Sequence, residues 1–305
     1  MHVHAKGVPA VGGALKWSLA VTLVFVAVEF AAGSYARSLA LISDAVHNLS
    51  DVPAMALALL AVWLERKPVD RKRTYGYHRA GILAAFVNAL ALIAVAGYLI
   101  WEAYSRLRAP EPVQTNVMLV VAALALVVNS GIALALVHGR RDLNIRAVLV
   151  HNAGDAVSNL GILVGAFLIA RTGWYAIDPL ISFGIAALVL WSAGGILRET
   201  SNILLEGLPK GLKLEDVVAT LVAIPGVEEI HDVHIWSLGS NLHALSCHVR
   251  VADMQMREAG KLLAHINQVL AQRFQITHTT VQFEHAAVQP ADYISVGMKP
   301  QNPKS

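Results

Sequence analysis

The sequence predicts an α-helical membrane protein in which six transmembrane helices are followed by a small cytoplasmic α+β domain. The mean hydropathy is +0.55, and only 15% of the 305 residues are charged, against about 25% in ordinary soluble domains. The long apolar blocks stop near residue 206. We therefore predict a transmembrane domain at 1–206, a cytoplasmic domain at 207–288 and a disordered tail at 289–305, which is rich in proline and polar residues.

Six apolar blocks are long enough to cross a bilayer, whose hydrocarbon core is about 30 Å thick and requires about 20 helical residues. The blocks lie at residues 15–35, 39–64, 80–105, 115–138, 146–170 and 177–204. Each is predicted to form one transmembrane helix.

The basic residues of the loops predict the orientation of the chain, because lysine and arginine favour the cytoplasmic side of a membrane. Basic clusters follow blocks two, four and six, whereas the loops after blocks one, three and five hold fewer cations. The clusters are Arg66, Lys67, Arg71, Lys72 and Arg73; Arg140, Arg141 and Arg146; and Arg198, Lys210 and Lys213. We therefore expect both termini to lie in the cytoplasm.

The pattern after Gly207 is that of a small soluble domain. It predicts helices at 214–223 and 255–274, and strands at 227–236, 243–251 and 279–284. The order αββαβ indicates helices packed on one face of a sheet, as in ferredoxin-like domains.

Two copies of one polar pattern interrupt the apolar blocks. Block two contains His47 and Asp51, and block five contains His151 and Asp155. In each copy the two residues are four apart, so they share one face of a helix. Two such helices facing each other would offer two imidazoles and two carboxylates to one divalent cation. This ligand mix favours zinc in a tetrahedral site.

An alternative is that these four residues only connect helices through hydrogen bonds, as polar side chains in membranes also do. Ionisable groups inside a bilayer cost several kcal/mol, however, and usually mark a functional site. The repeated spacing favours the metal site. Cys247 is the only cysteine, which excludes an intramolecular disulfide and a site made of thiolates alone. The net charge of +3 reflects the basic loops and does not indicate a nucleic acid partner.

Five short stretches, spread over most of the chain, form a specific set: SLALISDAVH at 38–47, YGYHR at 75–79, LNIRA at 143–147, DP at 178–179 and HDVHIW at 231–236. With these stretches the chain resembles the cation diffusion facilitator family of divalent-metal/proton antiporters. The resemblance implies a transport site at His47, Asp51, His151 and Asp155, the four residues that the spacing also selects. It further implies a homodimer, formed through the cytoplasmic domains, and we expect this homodimer in a bacterial inner membrane.

The ligand pattern also bears on the transported ion. With histidine and aspartate on both helices, the chain resembles the zinc-preferring subgroup, so Zn²⁺ is the expected substrate, with Cd²⁺ and Co²⁺ as alternatives. Many zinc-transporting relatives carry a long histidine-rich loop between blocks four and five, whereas residues 137–142 hold one histidine. Ala80 and Gly81 follow His78-Arg79 where relatives often place an acidic residue, which weakens the case for a metal site beside His78.

The cytoplasmic domain is rich in histidine. Isolated surface histidines are usually just solvated, but the family commonly binds further metal in this domain. The resemblance therefore implies a second zinc site, structural in role, at His231, His248 and Glu284.

Two other acidic residues lie near the predicted transport site. Glu29 is the only acid of block one, and it either supports the ligands or passes protons. Asp44 precedes His47 by three residues. It is either an approach or exit ligand or a helix-start carboxylate favoured by the helix dipole.

Metal ligands must be deprotonated, so zinc and protons compete for the same atoms. We therefore expect zinc export driven by inward proton flow. One alternative is an intramembrane metalloenzyme, but the chain lacks an HExxH pair, and four protein ligands leave no open position for water. The other is a metal sensor, which would not need two intramembrane ligand pairs. The sequence thus predicts a transporter and not an enzyme.

Overall fold

The computed structural model of the chain describes residues 8–50, 52, 74–136, 143–239 and 242–285, with side chains for all of these except 8–18, 135–136 and 143–152. These described residues form two compact units, one from those within 1–67 and 84–197 and the other from those within 68–83 and 198–305.

The described helices before residue 205 correspond to the six apolar blocks. They are α1 (Val8–Ala36), α2 (Leu39–Leu49), α3 (His78–Arg108), α4 (Thr115–Leu136), α5 (Leu143–Thr172) and α6 (Ile177–Leu204). All except α2 are long and apolar enough to cross a membrane. α2 is described for 11 residues, and most of the remainder of block 39–64 lies outside the described residues. α1 and α5 begin before their apolar blocks, because a helix makes its backbone hydrogen bonds internally and can continue into polar surroundings.

The connection between α1 and α2 is a tight reversal. Arg37 adopts a left-handed φ of 55°. The N–H of Ser38 donates to the carbonyl of Gly33 at 2.9 Å, and that of Arg37 donates to the carbonyl of Ser34 at 3.2 Å. These two bonds form a Schellman cap. A Cβ on Gly33 would lie 3.0 Å from the Cβ of Leu41, so glycine allows α2 to pack closely against α1.

Small residues fill the contacts between these helices. One buried cluster contains Ala36, Ala40, Ala122 and Ala166 beside larger side chains such as Met118 and Ile162. Large apolar residues, including Val127, Leu134 and Trp191, are exposed on the outside. Small residues between helices and apolar residues outside are the distribution expected in lipid.

The second unit contains the predicted α+β domain. Its elements are α7 (Leu214–Val222), β1 (Glu229–Gly239), β2 (Leu242–Arg250), α8 (Met256–Phe274) and β3 (Ile276–Glu284). The sheet order is β1-β2-β3. β1 and β2 are antiparallel. β2 and β3 are parallel, and α8 connects them.

One face of this sheet carries the core of the domain. Cys247 and Leu245 of β2 belong to a buried cluster with Leu221 of α7 and Ile266 of α8. Successive strand residues point to opposite faces, so His248 lies on the other face, away from the helices.

The predicted fold class, a helical membrane part followed by a small α+β domain, is confirmed. The boundaries at 206 and 288 remain predictions. The predicted disordered tail, 289–305, lies outside the described residues.

Candidate metal sites

The carboxylate of Asp178, at the start of α6, holds the N-terminal end of α2. Its Oδ2 accepts a hydrogen bond from the N–H of Leu39 at 2.7 Å, and its Oδ1 accepts from the N–H of Ala40 at 3.2 Å. The hydroxyl of Ser38 also donates to Oδ1, at 2.6 Å. A helix start leaves such donors without intrahelical partners and favours a negative charge. Asp178 therefore fixes the helix that carries His47.

His47 of α2 and Asp155 of α5 meet across the interface between these helices. The distance between His47 Nε2 and Asp155 Oδ1 is 3.3 Å. Asp155 is 6% exposed, so its carboxylate lies in the helix interface and not at the lipid surface. The structure thus joins one residue from each of the two predicted pairs.

The other two predicted ligands are described less fully. Asp51 lies outside the described residues. His151 lies within the helical backbone of α5, one turn before Asp155, and the described side chains of α5 begin at Ala153. The four-residue site therefore remains a prediction, of which the contact between His47 and Asp155 is the described part.

Two more carboxylates are buried beside α2. Glu29 of α1 and Asp44 of α2 are each 1% exposed. Asn48 Nδ2 donates to Glu29 Oε2 at 2.8 Å, and Ser158 Oγ donates to Asp44 Oδ1 at 3.1 Å. These bonds connect α1 to α2 and α2 to α5.

The sequence did not predict the roles of Asn48, Ser158 or Asp178. Their position next to predicted ligands could have indicated two of them, since Asn48 follows His47 directly and Ser158 lies about one turn after Asp155. The structure also corrects one alternative for Asp44. It lies beyond the first turn of α2, and the helix-start carboxylate is Asp178.

A second cluster lies on the open face of the α+β sheet. His231 Nε2 is 3.1 Å from Glu284 Oε2, and His248 Nδ1 is 3.0 Å from Glu284 Oε1. Within the described residues, these three form the only group of three or more His, Cys, Asp or Glu whose ligand atoms all lie within 4.8 Å of one another. The structure brings together all three residues that the sequence predicted.

The strand register explains why this cluster forms. His231 of β1 is paired with His248 of β2, and His248 is paired with Gln282 of β3. Glu284 follows Gln282 by two positions and so points to the same face. Three strands each supply one ligand.

A bulge in β1 places a further carboxylate beside the cluster. The register shifts between His231 and His234, and Asp232 has a left-handed φ of 49°. Asp232 Oδ1 is 3.0 Å from His234 Nε2, and Oδ2 is 3.7 Å from His248 Nε2. The predicted strand gave no sign of this bulge.

Other candidate donors have different roles. His243 Nδ1 lies 3.2 Å from Ser237 Oγ, and burial lowers the pKa of His243. Burial raises the pKa of the Cys247 thiol to about 12, so this core cysteine stays protonated and is a poor metal ligand. His78 starts α3 and packs near Gly239; within the described residues it joins no ligand cluster.

Both sites offer only nitrogen and oxygen donors, which suit borderline divalent cations such as Zn²⁺. The membrane site lies in a helix interface where a charge needs compensation. The cluster in the α+β domain lies on a sheet whose strands fix the spacing of its ligands.

Comparison with known families covers nearly all of the chain. Residues 15–205 match the sequence model of the cation efflux transmembrane domain. Residues 209–286 match that of the cytoplasmic domain of cation efflux proteins, a model named ZT_dimer.

Several curated proteins are similar over most of their length. The metal cation efflux system protein CzcD of Cupriavidus metallidurans is 40% identical over 279 residues, covering 91% of this chain and 88% of CzcD. The cadmium, cobalt and zinc/H(+)-K(+) antiporter of Bacillus subtilis is 38% identical over 283 residues, covering 90% and 91%. The zinc transporter ZitB of Escherichia coli is 37% identical over 274 residues, covering 89% and 87%.

Among solved structures, the metal-bound C-terminal domain of the CzcD transporter is 40% identical. It covers 24% of this chain and 99% of that domain, with a TM-score of 0.22.

Proposed function

The chain belongs to the cation efflux family, the cation diffusion facilitators, and from that membership we propose that it exports zinc in exchange for protons through His47, Asp51, His151 and Asp155. It is an integral membrane transporter of metal cations and not an enzyme. Its cytoplasmic domain matches a dimerisation domain, so the chain is a homodimer.

The contact between His47 and Asp155 carries this proposal. An imidazole nitrogen and a carboxylate oxygen lie 3.3 Å apart, a separation that allows both atoms to bind one cation at the usual zinc distances of about 2.0–2.2 Å. They belong to different helices, so relative motion of α2 and α5 would open or close the site. The repeated four-residue spacing adds Asp51 and His151 to the same two helices.

Zinc is the proposed main substrate. Two imidazoles and two carboxylates complete a tetrahedral shell, which zinc accepts readily. Cadmium and cobalt bind similar donors, and the Bacillus subtilis relative is named for cadmium, cobalt and zinc. We therefore expect zinc to be preferred and the other two ions to compete with it.

Proton exchange follows from the chemistry of the ligands. Imidazole and carboxylate groups must lose protons to bind the metal, and they regain protons when the metal leaves. The antiporter name of the Bacillus subtilis relative supports the same coupling here. We place the protein in a bacterial inner membrane with both termini in the cytoplasm, since the basic loops predict that orientation.

Reconstitution into liposomes tests the transport function. The purified full-length chain should move zinc into liposomes loaded with a zinc-sensitive dye, well above protein-free liposomes, and excess cadmium or cobalt should slow that movement. Zinc that stays outside, with protein shown to be inserted, would contradict transport.

We also propose that His231, His248 and Glu284 bind a structural zinc in the cytoplasmic domain. The two imidazoles lie 3.1 and 3.0 Å from the Glu284 carboxylate, so the three side chains could bind one cation with little movement. Asp232, beside His248, would orient that ring, as carboxylates often do for metal-bound histidines.

The expected result for this second site is a change in zinc content. His248→Ala, made in a chain whose transport site is disabled by Asp155→Ala, should lower bound zinc by about one ion per chain, because it removes one of three ligands. Equilibrium dialysis with metal analysis measures this. His243→Ala is the matched control, since His243 lies on the same strand and contacts Ser237. Equal zinc content in the His248 and His243 variants would exclude the site.

A further inference from the structure

The membrane unit contains a pair of carboxyl groups that the four proposed ligands do not account for. Glu29 and Asp44 lie on neighbouring helices and are each 1% exposed. Asn48, which donates to Glu29, lies four residues after Asp44 on the same face of α2, so the two carboxyl groups are neighbours. Burying two carboxyl groups side by side is costly unless their charge is reduced.

Within the described part of the chain, each carboxyl group of this pair has a hydrogen-bond donor for only one of its two oxygens. One oxygen of each group has a neutral donor, Asn48 for Glu29 and Ser158 for Asp44. Among the described residues, no donor reaches the remaining oxygens, Glu29 Oε1 and Asp44 Oδ2. Each of these two buried oxygens therefore lacks a hydrogen, and a proton held by the pair would supply one.

The charged groups around the pair also favour a bound proton. Within the part of the chain that the structure describes, the ionisable groups that act on the pair are Glu29 and Asp44 themselves, His47 on α2 and Asp155 on α5. Within the described residues no lysine or arginine forms an ion pair with either carboxyl group. Since two adjacent carboxylates repel each other, one of them is expected to hold a proton.

We propose that Glu29 and Asp44 form a proton-binding site, separate from the metal ligands, which holds one proton in the metal-free chain and releases it when a divalent cation binds between α2 and α5. This rests on the proposed transport function. The cation brings two positive charges beside His47, about one helical turn from Asp44, so the pair no longer needs its proton for charge compensation. The proton leaves to solvent and no covalent bond to a heavy atom changes.

The pair would therefore contribute a proton to the exchange without binding the metal itself. Such a site couples the two ions through charge and not through competition for the same atoms. It also gives Glu29 a role in a helix that supplies none of the four proposed ligands.

Counting protons tests the proposal. Zinc is added to the purified full-length chain in weakly buffered detergent solution, and a pH-sensitive dye reports the protons released per zinc bound. All proteins carry His248→Ala to remove the cytoplasmic site. Glu29→Gln copies the protonated glutamate in size and hydrogen bonding. The variant should therefore bind zinc but release about one proton fewer per zinc than the parent chain. Asp44→Asn should do the same.

Infrared difference spectra give an independent readout. Zinc should remove the carbonyl band of a protonated carboxylic acid, and this loss should be absent in Glu29→Gln. Glu102→Gln is the matched control, because Glu102 lies on α3 and is paired with Arg106; its proton count and spectrum should match those of the parent chain.

Two outcomes overturn the proposal and are distinguishable. If Glu29→Gln and Asp44→Asn both bind zinc and release as many protons as the parent, the pair holds no exchangeable proton, while the transport site stands. If the parent itself releases no more protons than Asp155→Ala, the transport site is wrong and the pair has nothing to couple to.

Discussion

Replacing Asp155 with alanine is expected to abolish zinc transport. The substitution removes one of four proposed ligands and the carboxylate that lies 3.3 Å from His47 Nε2. Loss of a residue that merely orients a ligand typically costs about 10–100-fold in metal affinity or activity, and loss of a ligand itself should cost more. Zinc uptake by the purified variant in liposomes should fall to the level of protein-free liposomes.

Asp155→Asn separates binding of the metal from packing of the helices. The amide keeps the size of the side chain but removes the charge that a zinc ligand supplies, so transport should still be lost while the thermal unfolding temperature stays close to the parent value. Glu102→Gln is the control in the same domain, since its ion pair with Arg106 lies on α3. Near-normal zinc uptake by Asp155→Asn would exclude Asp155 as a ligand.

Much of the fold could be predicted because its determinants are local. Long apolar blocks specify membrane helices wherever they occur, and the period-two pattern of β2 places Cys247 in the core and His248 on the open face. The cluster of His231, His248 and Glu284 depends on strand register. The family resemblance suggested these residues, and the pairing of His231 with His248 explains how they meet.

The features that the sequence did not predict depend on contacts between residues that are distant in the sequence. Asp178 caps a helix that begins 139 residues earlier, and no local pattern connects the two. The bond between Ser158 and Asp44 likewise joins residues 114 apart. The left-handed backbone of Asp232 follows from an irregular strand pairing, which hydrophobic alternation does not specify. The helix-start interpretation of Asp44 failed for the same reason, because the capping carboxylate came from α6.

An imposed pH gradient should drive zinc against its own concentration gradient. Liposomes containing the chain are prepared with equal zinc on both sides, an acidic interior and the membrane potential held at zero. Because the ligands exchange protons for zinc, zinc should accumulate in the acidic compartment. One pH unit corresponds to a factor of ten in proton activity. Each proton exchanged per zinc ion therefore multiplies the limiting ratio of inside to outside zinc by up to about ten for each pH unit.

The size of that ratio also separates the two sources of protons. His47→Ala should remove accumulation altogether, since it deletes a proposed ligand that also accepts a proton. Glu29→Gln should retain transport but reach a smaller final ratio, because the exchange then lacks the proton of the carboxyl pair. An ionophore that collapses the pH gradient should equalise zinc in every sample. If the parent chain keeps zinc equal on both sides while the pH gradient persists, antiport is wrong. Facilitated diffusion through the same site is then the better account.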